Sequence, residues 1–259
     1  MPRTLKLTIA YDGTDFAGWQ RQASDRTVQA TIEDALLPIE GARAIVIGAG
    51  RTDAGVHAAG QVASVVLRAR IAATDLLRAL NATLPRDVRI MAVDDMADGF
   101  NAQFAATQKT YRFSIWATGV VPPPLRRFVW HVPQALDRAA MDAAAQSILG
   151  THDFSAFQAA GSDVITTRRT LTASRVIEIA PSSSALLVGP AGVGTWLVYE
   201  VTGTGFLRHM VRNIVGTLVD IGHGRRPVDD MPRILESRNR ATASATAPSE
   251  GLTLWSVDY

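Results

Sequence analysis

The sequence predicts an α+β protein built from two βαββαβ halves, each with a mainly antiparallel sheet. The chain has 259 residues, 47% of them apolar, enough to bury a large core as one domain or two smaller ones. Segments of strand-like alternation and helical periodicity follow one another along it. The order β-α-β-β-α-β occurs twice, which is the ferredoxin-like split arrangement.

In the first half, Leu5–Tyr11 alternates like a strand. Thr27–Leu37 reads as a helix with Val28, Ile32, Ala35 and Leu36 on one face. Arg43–Ile47 and Gln61–Leu67 read as strands on either side of a glycine-rich loop. Thr74–Asn81 reads as a helix with Thr74 as its N-cap, and Val88–Val93 as a strand.

In the second half, Lys109–Trp116 is the first strand, and Asp137–Leu149 is a helix closed by Gly150 as C-cap. Arg169–Ile179 and Thr195–Val201 are strands, Phe206–Ile221 is a long helix, Asp229–Glu236 a short one, and Leu252–Asp258 a final strand. The division falls near Asp98–Ala106, giving residues 1–100 and 101–259 as the two halves. Sheets joined side by side would form one larger sheet with a groove across one face. Pro122-Pro123-Pro124 and Ser182–Gly194 read as surface loops, the latter as a hairpin excursion without chemistry of its own.

Composition narrows the chemistry. The chain has no Cys, which excludes disulfides, thiolate zinc sites and Cys nucleophiles, and fits a reducing compartment. The stretch Met1–Lys6 lacks the apolar core of a secretory signal, and no apolar run is long enough to span a bilayer. The expectation is a cytoplasmic protein. Net charge is only +2, but of the 26 cationic residues only Lys6 and Lys109 are lysines, leaving 24 arginines. Arginine's planar fork pairs with phosphate and stacks on bases. A base-composition bias toward Arg and Ala codons explains the same excess. The local clusters Arg168-Arg169, Arg208 with Arg212, and Arg225-Arg226 carry more information.

The densest cluster of chemistry is Gly48-Ala49-Gly50-Arg51-Thr52-Asp53-Ala54-Gly55-Val56-His57, where one carboxylate sits between Arg51 and His57 among three glycines. It fits neither the dinucleotide fingerprint, since Asp53 stands where the third glycine belongs, nor the P-loop, since Val56-His57 follows Gly55. Asp53 is therefore either a cap on its own turn or a functional carboxylate. Gly203–Asn213 fails the dinucleotide pattern too, with Arg208 in the third glycine's place. Leu207, Val211, Ile214, Leu218 and Ile221 fall at helical spacing as core, and Arg208 and Arg212 project four residues apart from one helix face. That pair is either a solvated face or the source of a guanidinium for a buried carboxylate, with Asp53 the candidate. On the strand that starts the second half, Lys109, Tyr111 and Phe113 share a face. Tyr111 reads as a core aromatic or as part of a base-stacking platform.

With these segments in view, the sequence resembles the tRNA pseudouridine synthase I (TruA) family. The matching segments are Tyr11–Gln20, Gly50–His57, Leu80–Pro85, Phe100–Phe113, Gly150–Phe157, Gly205–Gly216, and Glu250-Gly251-Leu252 through Tyr259. They cover nearly the whole chain in order, and Arg51-Thr52-Asp53-Ala54-Gly55-Val56-His57 is the most specific of them. The resemblance implies the pseudouridine synthase fold with an RNA-binding cleft, and isomerisation of uridine to pseudouridine without redox step, metal or organic cofactor.

Residue by residue, it implies that Asp53 is the catalytic aspartate, acting as nucleophile at C1′ or as base at the 2′ position through a glycal. Tyr111 would stack on the uracil, Arg51 would help evict the base, and Leu207 would lie beside it. Arg212 would be the basic partner of the carboxylate. The implied substrate is tRNA at uridines 38, 39 and 40 of the anticodon stem-loop, bound by a homodimer. Arg168, Arg169 and Arg208 are candidate phosphate contacts.

Two other function classes stand beside this one. A non-catalytic RNA-binding relative would keep the fold and the arginines. A metal-dependent hydrolase would use Asp53, His57, His152 and Asp153, although no Cys or acid cluster converges with that His-Asp pair.

Overall fold

The computed structural model describes residues 2–161, 164–179 and 194–259. The chain divides into two compact units, one of residues 1–107 with 253–259 and one of residues 108–252. Both mix helices with mainly antiparallel strands, so the α+β class stands.

The first unit follows the expected β-α-β-β-α-β order: β1 (Arg3–Tyr11), α1 (Val28–Glu40), β2 (Ile47–Gly48), β3 (His57–Leu67), α2 (Ala73–Thr83) and β4 (Val88–Met96). The strand β10 (Leu252–Asp258) joins them, giving the spatial order β4-β1-β3-β10 with β2 on β3. β1 runs antiparallel to β3 and β4, and its inward residues Leu5, Leu7 and Ile9 are fully buried. β10 runs parallel to β3 through Thr253↔His57 and Leu254↔Ala58.

Residues 253–259 therefore pack with the first unit, although the sequence places 101–259 together. They are fastened there by Thr107 N donating to the Asp258 carbonyl at 2.8 Å and by Tyr259 Oη donating to the Ala102 carbonyl at 3.0 Å. Tyr259 also lies against Phe100, ring centroids 5.3 Å apart.

The second unit comprises β5 (Gln108–Ala117), β6 (Trp130–Val132), α3 (Arg138–Gln146), β7 (Gly150–Asp153), β8 (Arg168–Ile179), β9 (Thr195–Gly203), α4 (Met210–Gly222) and α5 (Asp230–Ser237). Its strands lie in the order β5-β9-β8-β7, all antiparallel, with β6 parallel to β5. α4 is apolar almost all round, burying Ile214, Val215, Leu218 and Ile221, as befits a helix enclosed by its own unit.

Five local expectations are corrected. The strand over Arg43–Ile47 shrinks to Ile47–Gly48, because only these residues pair with β3. β3 starts four residues earlier than Gln61, at His57, so the glycine-rich loop is shorter than the sequence suggests. Thr74 lies inside α2, whose N-cap position is Ala72 without a side-chain cap. Gly150 is not the cap of α3, which ends at Gln146 with Ser147 as C-cap; with φ at +100°, Gly150 instead opens β7. The long helix begins at Met210 rather than Phe206, because His209 adopts a left-handed conformation at φ 59° that a helix cannot continue through.

The short strands β6 and β7 escape periodicity arguments, which need longer runs. The loop at Pro122-Pro123-Pro124 holds one 3₁₀ turn, Pro123–Leu125. The hairpin expected over Ser182–Gly194 lies, apart from Gly194, outside the described residues. Among the described residues no helix is long and apolar enough to cross a membrane.

Candidate active site

The loop between β2 and β3 carries Asp53, half-buried at its apex. A β-turn closes there, with Val56 N donating to the Asp53 carbonyl at 3.2 Å. Gly55 takes φ +77° at the third place of this turn, where a side chain is disfavoured.

The loop is fastened on both sides of Asp53. Before it, Tyr11 Oη and Thr52 Oγ1 share a buried hydrogen bond of 2.7 Å, and Trp19 N donates to the Thr52 carbonyl at 3.0 Å. Gln61 Nε2 donates to the Gly50 carbonyl at 2.8 Å. After it, Gly55 N donates to the Phe16 carbonyl at 3.2 Å, and Gly13 N donates to His57 Nδ1 at 3.0 Å. The segment from Tyr11 to Trp19 is thus a brace laid along the loop. Its approach is close enough to demand glycine at Gly18, where a Cβ would lie 2.7 Å from the Thr52 carbonyl oxygen.

Burial pushes the Tyr11 phenol well above its ordinary pKa, more than its bonds to Thr52 and Gln61 draw it down, so it remains a neutral hydroxyl. The brace was within reach of sequence reasoning: a tyrosine ending a strand that is otherwise buried needs a hydroxyl partner. That partner, 41 residues away, was not legible.

Arg51 is exposed beside a cavity of about 220 Å³ lined by Trp19, Gln20, Gln29, Gly50 and Gln103. Gln29 is held by donating to Glu33 at 3.0 Å and to the Val46 carbonyl at 3.1 Å, while it accepts from Gln20 at 2.8 Å. Glu33 is buried and answered by Arg21 at 2.7 Å. This chain of bonds sets one wall of the cavity.

In the second unit, Tyr111 is 7% exposed on β5 and meets Phe206 edge-on, ring centroids 4.9 Å apart. Phe113, two residues on, is fully buried, so the strand passes from a nearly buried aromatic into the core. Burial draws the Lys109 ammonium below its ordinary pKa.

Leu207 is buried at 5% but precedes α4. Arg208 precedes it too, so the expected shared helix face with Arg212 does not form. Arg208 is exposed and donates to the carbonyls of Ala160 and Gly161 at 3.2 and 3.3 Å. Arg212, in the first turn of α4, donates through Nε to the Ala247 carbonyl at 2.7 Å, and Ala247 N returns a bond to the Arg212 carbonyl at 3.1 Å.

The 240–247 segment is fastened in turn by Asn213. That residue is fully buried, donates to the Phe157 carbonyl at 2.7 Å, and accepts from Thr246 Oγ1 at 2.6 Å and Arg240 at 3.1 Å. Arg168 is exposed, whereas Arg169 turns back on the carbonyls of Thr166 and Arg168.

His152 and Asp153 sit on β7, where His152 Nε2 is 2.8 Å from the Leu149 carbonyl and Asp153 accepts from Ser155 N at 3.0 Å. Among the described residues no three His, Cys, Asp or Glu side chains gather as a metal site.

Compared with known families, residues 7–105 and 144–259 match the model described as tRNA pseudouridine synthase. The chain belongs to that family. It is 43% identical to the tRNA pseudouridine synthase A of Solidesulfovibrio magneticus, over 98% of this chain and 90% of the relative. It is 41% identical to the protein of that name from Acetivibrio thermocellus, over 99% of this chain and the whole of the relative. With the tRNA pseudouridine synthase A of Chloroflexus aurantiacus the identity is 44%, over 99% and 89%. Asp53, Leu207 and Arg212 fall within the residues that the family model matches, whereas Tyr111 lies between its two matched stretches.

Proposed function

We propose that this chain isomerises uridine to pseudouridine in tRNA, at positions 38, 39 and 40 of the anticodon stem-loop, with Asp53 as the catalytic carboxylate. Membership of the tRNA pseudouridine synthase family over nearly the full length carries the reading. The braced loop supports it, since ties on both sides of Asp53 leave the residue little freedom to drift.

In this reading a stem uridine is flipped out at a cost of roughly a few kcal/mol. Arg51 takes part in evicting it, Tyr111 stacks on the uracil and Leu207 packs beside it. The C1′–N1 bond breaks, the uracil turns, and C5 bonds to C1′. The proton lost from C5 balances the one gained at N1, so the product is an isomer and no cofactor is consumed. Asp53 acts either as nucleophile at C1′ or as base at the 2′ position. Either role needs an ionised carboxylate, which Arg212, as its basic partner, favours. The tRNA is held across a homodimer in the cytoplasm, with Arg168, Arg169 and Arg208 on phosphates.

The test is tritium release from tRNA transcripts carrying [5-³H]uridine, with wild type and Asp53→Ala. Release by wild type and none by the variant is expected. No release by wild type, or undiminished release by the variant, overturns the assignment.

A further inference from the structure

His57 is the one member of the loop cluster to which the proposed chemistry gives no task. Its side chain is only 2% exposed, so it offers no ring nitrogen to a bound nucleotide and is no general acid or base for it. What it does have is a defined acceptor role. Gly13 N lies 3.0 Å from Nδ1 in a buried hydrogen bond that spans 44 residues of sequence. A backbone N–H can only donate, so Nδ1 carries the lone pair and the ring's single proton resides on Nε2.

Asp12 Oδ1 also lies 3.2 Å from Nδ1, but it already accepts from Thr14 N at 3.0 Å and Thr14 Oγ1 at 2.6 Å. The carboxylate thus caps the 12–14 turn while the imidazole takes the Gly13 amide. The turn is pressed hard against the loop. A Cβ on Gly13 would fall 1.9 Å from the Val56 carbonyl oxygen.

From these contacts we infer that His57 is a positioning residue for Asp53. Its neutral imidazole accepts the Gly13 amide and so locks the far end of the Asp53 loop onto the end of β1. The near end is locked independently by Tyr11 on Thr52. His57 also begins β3, with Thr253 of β10 as its pairing partner, so the lock is anchored in the sheet rather than in another loop. This role rests on the reading that Asp53 performs the chemistry.

The experiment compares wild type, His57→Leu, His57→Asn and Asp53→Asn in tritium release and tRNA binding. Leu keeps the volume but removes the acceptor, while Asn places an amide oxygen close to where Nδ1 stood. A loose catalytic group costs on the order of 100-fold in rate, so His57→Leu should lose about that in kcat with KM for tRNA unchanged. His57→Asn should recover most of it.

An unaltered kcat in His57→Leu, or an Asn variant as slow as the Leu variant, overturns the inference. Should His57→Leu fail to fold, the imidazole ¹⁵N spectrum of the native protein decides instead. An unprotonated Nδ1 is expected, and a protonated Nδ1 overturns the role. Full turnover by Asp53→Asn would sink the assignment of Asp53 itself, a result separable from either outcome at His57.

Discussion

Tyr11 Oη and Thr52 Oγ1 are 2.7 Å apart in the protein interior, one residue before Asp53. Because burial keeps the phenol neutral, this bond holds across the neutral pH range and does not titrate with the chemistry. Tyr11→Phe removes it and leaves a buried threonine hydroxyl unanswered. We expect a loss of about 1–2 kcal/mol in urea unfolding, together with slower tritium release at unchanged tRNA affinity.

Arg212 divides two accounts of the basic residues. As the carboxylate's partner, its removal in Arg212→Ala should abolish turnover while filter binding of tRNA stays largely intact. A collapse of binding would instead make it a phosphate contact.

Gly216 lies inside α4, where glycine normally costs roughly 1 kcal/mol relative to alanine. A Cβ there would sit 1.9 Å from the Ala245 carbonyl oxygen, so the usual gain from Gly→Ala is reversed. Gly216→Ala should cost about 1–3 kcal/mol by overpacking. Because the same segment supplies the Ala247 carbonyl to Arg212, activity should fall with stability in denaturation and tritium assays.

Glu200 on β9 bridges Arg112 and Arg175 on its two neighbouring strands. Burial alone would raise its carboxyl pKa, but the two guanidinium groups outweigh this and hold it below the usual carboxylate value. A depressed folded-state pKa contributes stability above the unfolded value, and that stability is lost as pH falls through the folded value. Glu200→Gln should therefore lower stability at neutral pH by about 1–2 kcal/mol, the arginines keeping some solvent contact. Urea midpoints followed down into the acid range should converge with wild type.

Arg168 is exposed, whereas Arg169 is turned onto carbonyls. If Arg168 meets a phosphate, Arg168→Ala should weaken tRNA binding and reduce the slope of log K against log salt by about 1. Titrations at several salt concentrations read this directly, and an unchanged slope removes Arg168 from the interface.

Long elements were legible because their periodicity is local: β10 has the bounds its alternation implies, and β1, β5 and β8 lie within two residues of theirs. Boundaries failed where one backbone angle decided them. Nothing in Phe206–Arg212 announces that His209 turns left-handed and delays α4 by four residues.

The loop around Asp53 stood out by composition, with its three glycines and single acid. Its fastening did not stand out. Tyr11, Gly13, Trp19 and Gln61 act on it through pairings set by β1 lying against β3, and no local window of sequence contains that information. Nor does any window tell that Thr253 belongs beside His57.

That last pairing bears on how the molecule is made. Synthesis runs from residue 1 upward, so the sheet holding the Asp53 loop stays one strand short until all of residues 108–252 have been translated. Through that interval the Thr253 partner of His57 does not yet exist, and the β3 positions awaiting it present an unpaired edge to solvent or to chaperones. The earliest-made half of the enzyme is thus among the last to be completed. A ribosome that stalls late releases a chain with every residue of the Asp53 loop and its brace but without the strand that closes their sheet.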